Sequence, residues 1–508
     1  MNINGFVVAV MLLTSFTALA QQQVIYSETD RNDIRQTNFE ILGKVGGNIL
    51  IYKNLRDSHA MSVYDMEMNE LDRVNYSFLP ERLISSDFLA FPDFAYFFYQ
   101  YQKRNIVYFM GVKINGDGKL AAEPVMLDTT AITFWANNKI YSVINSEDKQ
   151  YFDIIKINTK DDDSHILTTV LYNKELELKE KITLKINMPD RSDYLTEFQI
   201  NNHGDLAFAR AVQSNSEENI EKLFFYVKPA MQSNVSVTQL NLLENYLDDL
   251  RIKPDNTTNR FLITSFFRKS RQGNVEGLFL SIWDNAAYSL QSSRIMIFDD
   301  NLRNEARGEN GIKSAFNDFF IKNIIPKKDG GFLMTAEAFY TTGRGGMNRF
   351  NNMFGSPFLR PSDYYMFNPY SYGNGFPYWR YNGLNNNQLN RYHAENIIVL
   401  SFDNEGKIDW SNVLNKSQWD DETDALIGFH LVNTGSQLHF LFNQQDKRLQ
   451  LLTDQSIQPD GKVIRNPTLK NLDRGYDFMP RYAKQVGLRQ IIVPCLRRNF
   501  LCFARVEL

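Results

Sequence analysis

Two stretches of this chain, Gly330–Glu337 and Asn396–Trp410, read as three short strands parted by a long interruption. One strand follows a Gly-Gly turn, and the other two form a hairpin closed by Asp403-Asn404-Glu405-Gly406. Variants of this unit recur along most of the chain. A chain made of one recurring strand unit folds by stacking its copies, so the recurrence constrains the architecture more than any single motif does.

Each copy is a run of four strand-like pieces, about 5–10 residues each, separated by Gly, Asn and Asp turns. The first reads Asn38–Gly46, Asn48–Lys53, Ala60–Met66 and Leu71–Leu79. The next six span roughly 84–128, 130–188, 194–242, 248–300, 318–416 and 425–470. The last, 476–508, has three strands, while Val24–Glu28 is a strand with no local partner. Val63-Tyr64-Asp65, Leu171-Tyr172-Asn173 and Ile297-Phe298-Asp299 share one pattern. Asn115-Gly116-Asp117-Gly118-Lys119, Asp403-Asn404-Glu405-Gly406-Lys407 and Asp460-Gly461-Lys462 share another, a hairpin turn followed by Lys. Gly and acidic residues supply the positive φ that such turns need. Helix is expected only at Leu302–Phe320 and, as a short turn, at Leu240–Leu250.

On these units the chain resembles exported bacterial β-propeller proteins of unassigned function. The resemblance covers nearly all of residues 24–508 and is one of pattern; neither a WD dipeptide nor a kelch double-glycine series recurs. The spacing from Asp403 to Trp410 is similar to quinoprotein-type repeats but occurs once, so no cofactor is inferred. The resemblance implies an all-β propeller of eight four-stranded blades, with seven as the alternative. The physical logic agrees. A four-stranded blade has two apolar faces, and only neighbours round a ring cover both. The orphan N-terminal strand then completes the C-terminal blade and closes the ring.

Residues 1–20 read as a signal peptide. Phe6–Leu13 is apolar, and Ala18-Leu19-Ala20 is a small-x-small site before Gln21, which places cleavage between Ala20 and Gln21. The run is too short to span a bilayer, and no later stretch is long and apolar enough to do so. The mature chain, residues 21–508, is therefore expected to be one domain, monomeric, and periplasmic or extracellular. A net charge of −4 over 508 residues gives no support for nucleic-acid binding. Cys495 and Cys502 face each other if Arg498-Asn499 centres the last turn, and opposed residues with Cα atoms about 4.5–5.5 Å apart are within disulfide range. The reading leaves a disulfide and two buried thiols equally open.

The most distinctive segment is an insertion at 341–394, rich in Gly, Asn, aromatic and Arg residues, with Asp363 as its sole acidic residue. It joins the second and third strands of its unit. The resemblance puts that connection on the face where propellers usually bind ligands. Arg344, Arg349, Tyr365, Tyr378, Trp379, Arg380 and Tyr381 are its candidate contact residues, of the types that most often anchor interfaces. The expected function is an exported binding scaffold for a protein, peptide or glycan. The alternatives are a carbohydrate-active hydrolase or lyase and a structural part of an envelope complex. No catalytic residue and no metal ligand is assigned. Glu337 and the linker carboxylates Asp420, Asp421, Glu422 and Asp424 are the acids an enzyme would use. His430 and His439 fall on different strands of one unit and read as packed histidines rather than a metal pair.

Overall fold

The computed structural model describes residues 23–31, 37–55, 58–132, 135–136, 139–161, 163–189, 193–213, 219–307, 316–343, 346–349, 391–421, 423–446, 449–466 and 475–508. Their regular secondary structure is nearly all strand, arranged in antiparallel sheets. The strands come in successive groups of four. The first group is Thr37–Val45, Asn48–Leu55, Ser58–Tyr64 and Glu70–Asn75. The second, third, fourth and fifth begin at Ser85, Tyr141, Asp193 and Tyr246 and repeat the same up-and-down order. The fourth and fifth share one bridging pair, Ile220 with Leu247. The sixth takes Phe319–Pro326, Phe332–Gly343, Arg391–Phe402 and Ile408–Leu414, and the seventh runs from Phe429 to Arg465. In the eighth, two short pieces, Tyr476–Phe478 and Lys484–Gln485, pair with Gln490–Arg497, which pairs with Phe500–Glu507. Its fourth strand is Gln23–Tyr26, antiparallel to Phe500–Glu507.

The apolar pattern explains how the groups associate. Middle strands such as Arg260–Arg268 are apolar at consecutive positions and buried on both faces. Outer strands such as Leu178–Asn187 alternate exposed and covered residues. A strand with two buried faces must be sandwiched, and successive residues go to opposite sides. Phe97 packs with the first group and Phe98 with the third. Ile263 packs with the fourth and Leu262 with the sixth. Ile397 faces the seventh group and Ile398 the fifth. Ile491 packs with the seventh group, while Ile492, Leu501 and Phe503 join Phe39, Ile41, Ile49 and Ile51 of the first. The N-terminal segment is fastened across that last contact. Ser27 N donates to Phe503 O at 2.8 Å and Asp30 N to Leu501 O at 2.7 Å. The buried Asp30 carboxylate is 2.9 Å from both Lys53 and Arg73.

Three sequence expectations change. The helix is shorter than Leu302–Phe320: it covers Asp300–Ala306, where Asp299 accepts from Leu302 N as its N-cap, and 308–315 lie outside the described residues. Leu240–Leu250 is not helical, because Leu240 ends one strand and Tyr246 starts the next. The insertion is narrower than 341–394, since 341–343 and 391–394 extend the flanking strands and Gly346–Arg349 adds another. Cys495 and Cys502 are directly opposed, both buried, with Sγ atoms 2.9 Å apart, and stand as free thiols. Among the described residues no helix is long and apolar enough to cross a membrane.

Candidate functional site

The site grows from an irregularity in the sixth group. Its two central strands are 12 residues long, about 40 Å, roughly twice the usual strand. Their lower parts pair with Phe319–Pro326 and Ile408–Leu414. A register break between Glu337 and Phe339 separates these from an upper part. There Tyr340–Gly343 pairs with Gly346–Arg349, and Tyr392–Ala394 pairs with Gln418–Asp420. The sixth group thus carries a second, upper deck of four short strands, and residues 350–390 leave from it.

Register decides what shares a face of this deck. Tyr340 lies opposite His393, and His393 lies opposite Trp419. Arg391, two residues before His393, returns to the same face, because side chains alternate along a strand. The Tyr340 and His393 rings stack, with centroids 4.5 Å apart and planes 9° apart. Tyr340 Oη donates to Glu395 Oε1 at 2.8 Å, and His393 Nε2 is 3.0 Å from Thr342 Oγ1. The Arg391 guanidinium lies 4.2 Å over the Trp419 ring and grips Asp421 through Nε at 2.6 Å and Nη2 at 3.1 Å. Trp419 remains 46% exposed. The bond from Arg391 holds the Asp421 carboxyl below the usual carboxylate range, and burial pushes the His393 imidazole down.

The opposite face packs on Phe320 and Ile427 through Phe339 and Ala394, above a buried ionic network. That network rests on breaks in the first strands of neighbouring groups. Glu197 and Asp249 sit at such breaks with φ of 57° and 60°, and Lys322 is the extra residue between Ile321 and Asn323. A bulge re-aims the side chain at the extra residue, and here each one aims an ionisable group. Arg251 bridges Glu197 at 3.2 Å and Asp249 at 3.0 Å. Lys322 is 3.9 Å and Lys416 2.8 Å from Glu337, and Arg481 is 2.9 Å from Asp424. Burial pushes the Lys322 ammonium down to about 8, against the pull of Glu337. Burial opposes ionisation of Glu337, but Lys416, Lys322 and Arg481 outweigh it and hold the carboxyl below its usual range.

The acids read from sequence therefore do not form a catalytic pair. Glu337 is on the second strand of its group and is neutralised by lysines. Asp420 caps Thr423 N, Asp421 binds Arg391, Asp424 binds Arg481, and Glu422 lies outside the described residues. His439 bonds Asp454 at 3.0 Å rather than His430, whose imidazole burial pushes down to about 4. Of the candidate contact residues, Arg349 is placed by its backbone opposite Tyr340, in the row of His393 and Trp419. Arg344, Tyr365, Tyr378, Trp379, Arg380 and Tyr381 lie outside the described residues, as do Ala20 and Gln21. Sequence reading missed Trp419 and Arg391 as contact residues. The signal for Trp419 was an indole in an acidic, otherwise polar linker, Gln418-Trp419-Asp420-Asp421.

No protein-family model matches the chain, and no curated protein matches it. Among solved structures it is similar to prolyl oligopeptidase B from Galerina marginata, at 8% identity and a TM-score of 0.41, over 91% of this chain and 56% of that one. It is also similar to oligopeptidase B from Leishmania major, at 9% identity and 0.36, over 92% and 54%. A Synechocystis apocarotenoid oxygenase matches at 9% and 0.33, over 96% and 93%. The chain spans just over half the length of the two peptidases. None of these likenesses assigns an activity to it.

Proposed function

We propose that this chain is an exported, monomeric binding scaffold, an eight-bladed propeller closed by its N-terminal strand, that engages its partner on the upper deck of the sixth group. The observation that carries the reading is that deck. Among the described residues the sixth group alone carries a second tier, and that tier presents Trp419, Arg391 and His393 on strands whose ends residues 350–390 connect in the chain. Rigid strands position such residues better than a loop does, and exposed Trp and Arg are the side chains that most often dominate an interface. The closed ring is supported by the packing of the eighth group on the first and by the Gln23–Tyr26 strand, which precedes the first group in the chain and forms the outer edge of the eighth. The apolar run Phe6–Leu13 followed by Ala18-Leu19-Ala20 supports export.

The test is capture from an envelope extract with two forms of the protein, one intact and one with 350–390 replaced by a short Gly-Ser linker. The intact form retains partners that the shortened form loses. Identical sets of captured proteins would remove residues 350–390 as a binding element, and identical sets from Trp419→Ala would remove the deck. Amino-terminal sequencing of the exported protein reads Gln21 as its first residue.

A further inference from the structure

The exposed Trp419 is not a lone aromatic residue. Arg391 covers one of its faces at 4.2 Å, so its 46% exposure lies on the other face and the ring edge. Backbone pairing with His393 fixes the strand it sits on, and Asp421 fixes Arg391 by two bonds. The indole, the guanidinium and the carboxylate are thus held before any ligand arrives, which lowers the ordering cost of binding.

The charges around this strip select the ligand. Two bonds to Asp421 already neutralise Arg391, so the pair beside Trp419 carries no net charge with which to draw an anionic ligand. A cationic ligand on the open face would have to share one indole with the guanidinium already over its other face. What remains is an uncharged ring with an apolar face for the indole and hydroxyls at its rim. The Arg391 and Asp421 pair offers those hydroxyls fixed donors and acceptors side by side, with the neutral imidazole of His393 next in the row.

We propose that Trp419, Arg391 and Asp421 form a carbohydrate subsite for a neutral oligosaccharide, with one sugar ring stacked on the open face of Trp419. This deepens the binding role proposed above and rests on that face being the one used.

The experiment is isothermal titration of the full chain with cellohexaose, chitohexaose, xylohexaose and mannohexaose. At least one gives saturable binding. Trp419→Ala weakens it at least tenfold and Asp421→Asn severalfold, with thermal unfolding of both variants still cooperative. Leu488→Ala, an exposed apolar residue outside the deck, leaves binding unchanged. Absence of saturable binding to all four, or equal binding by Trp419→Ala, overturns the subsite. So does a peptide from a displayed random library that binds through Trp419 while none of the sugars does. Partner capture that still depends on 350–390, with no sugar bound, removes this inference and leaves the scaffold role standing.

Discussion

At the scale of single residues, buried ionisable groups are the strongest local constraint. Asp153 lies in the middle of the third group, 2% exposed, and burial pushes its carboxyl up to about 7. Its folded-state pKa is then above its unfolded value, so the folded protein holds the proton more tightly. The stability this group allows is intact below about pH 4 and is lost as pH rises through about 7. Asp153→Asn keeps an acceptor for the backbone and cannot ionise. In urea unfolding it is expected to match the parent near pH 4 and to exceed it by up to about 4 kcal/mol at pH 8. A gap that does not change with pH would show that Asp153 is not the titrating group. Asp30 is buried with an ionic partner. Its carboxylate stands 2.9 Å from buried Lys53, whose ammonium burial pushes down against the pull of Asp30.

At the scale of elements, the turn motif legible in sequence has a packing role that sequence does not reveal. Gly406 and Gly461 have φ of 78° and 86°, which the hairpin turn requires. Each turn also lies against the sheet before it. A Cβ on Gly406 would stand 2.4 Å from a methyl of Leu280, and one on Gly461 would stand 2.8 Å from the Trp410 ring. Trp410 Nε1 donates to Pro459 O in the same turn, and Asn412 donates to Gly461 O at 2.6 Å. The spacing from Asp403 to Trp410 is therefore explained without a cofactor. It closes one hairpin and sets an indole under the next. Gly406→Ala combines backbone strain with overpacking and is expected to cost about 1–3 kcal/mol, measured as a lower urea midpoint at unchanged m. Exposed Gly435, whose Cβ would meet nothing within 4 Å, is the control for backbone strain without a neighbour.

At the scale of the whole molecule, stability follows from every group being covered on both sides, and the covering of the eighth group on the first runs through the N-terminal strand. Deleting residues 21–30 removes the pairing of Gln23–Tyr26 with Phe500–Glu507 and the stacking of Tyr26 on Tyr476. It also strips Lys53, 6% exposed, of its carboxylate. Breaking one buried ion pair alone costs about 3–5 kcal/mol. The truncated chain is expected to unfold at least that much more readily in urea, with broader transitions as the groups uncouple. A midpoint equal to that of the full chain would mean that the packing of the eighth group on the first does not depend on this strand.

The sequence by itself determined the strand groups, the turns between them and the opposition of Cys495 to Cys502, because apolar alternation and turn chemistry are local. It also located the sixth group as the unusual one. The candidate contact residues were chosen by composition within the insertion, and composition does not say where a side chain stands. Only the tertiary structure decided that His393 and Arg391 leave the insertion for a strand, and that Trp419 in a linker comes beside them. The same holds for Glu337, which meets Lys416 rather than a second acid. Those meetings depend on register and on the break between Glu337 and Phe339. Register is set by the packing of whole groups against each other, and no short window of residues encodes it.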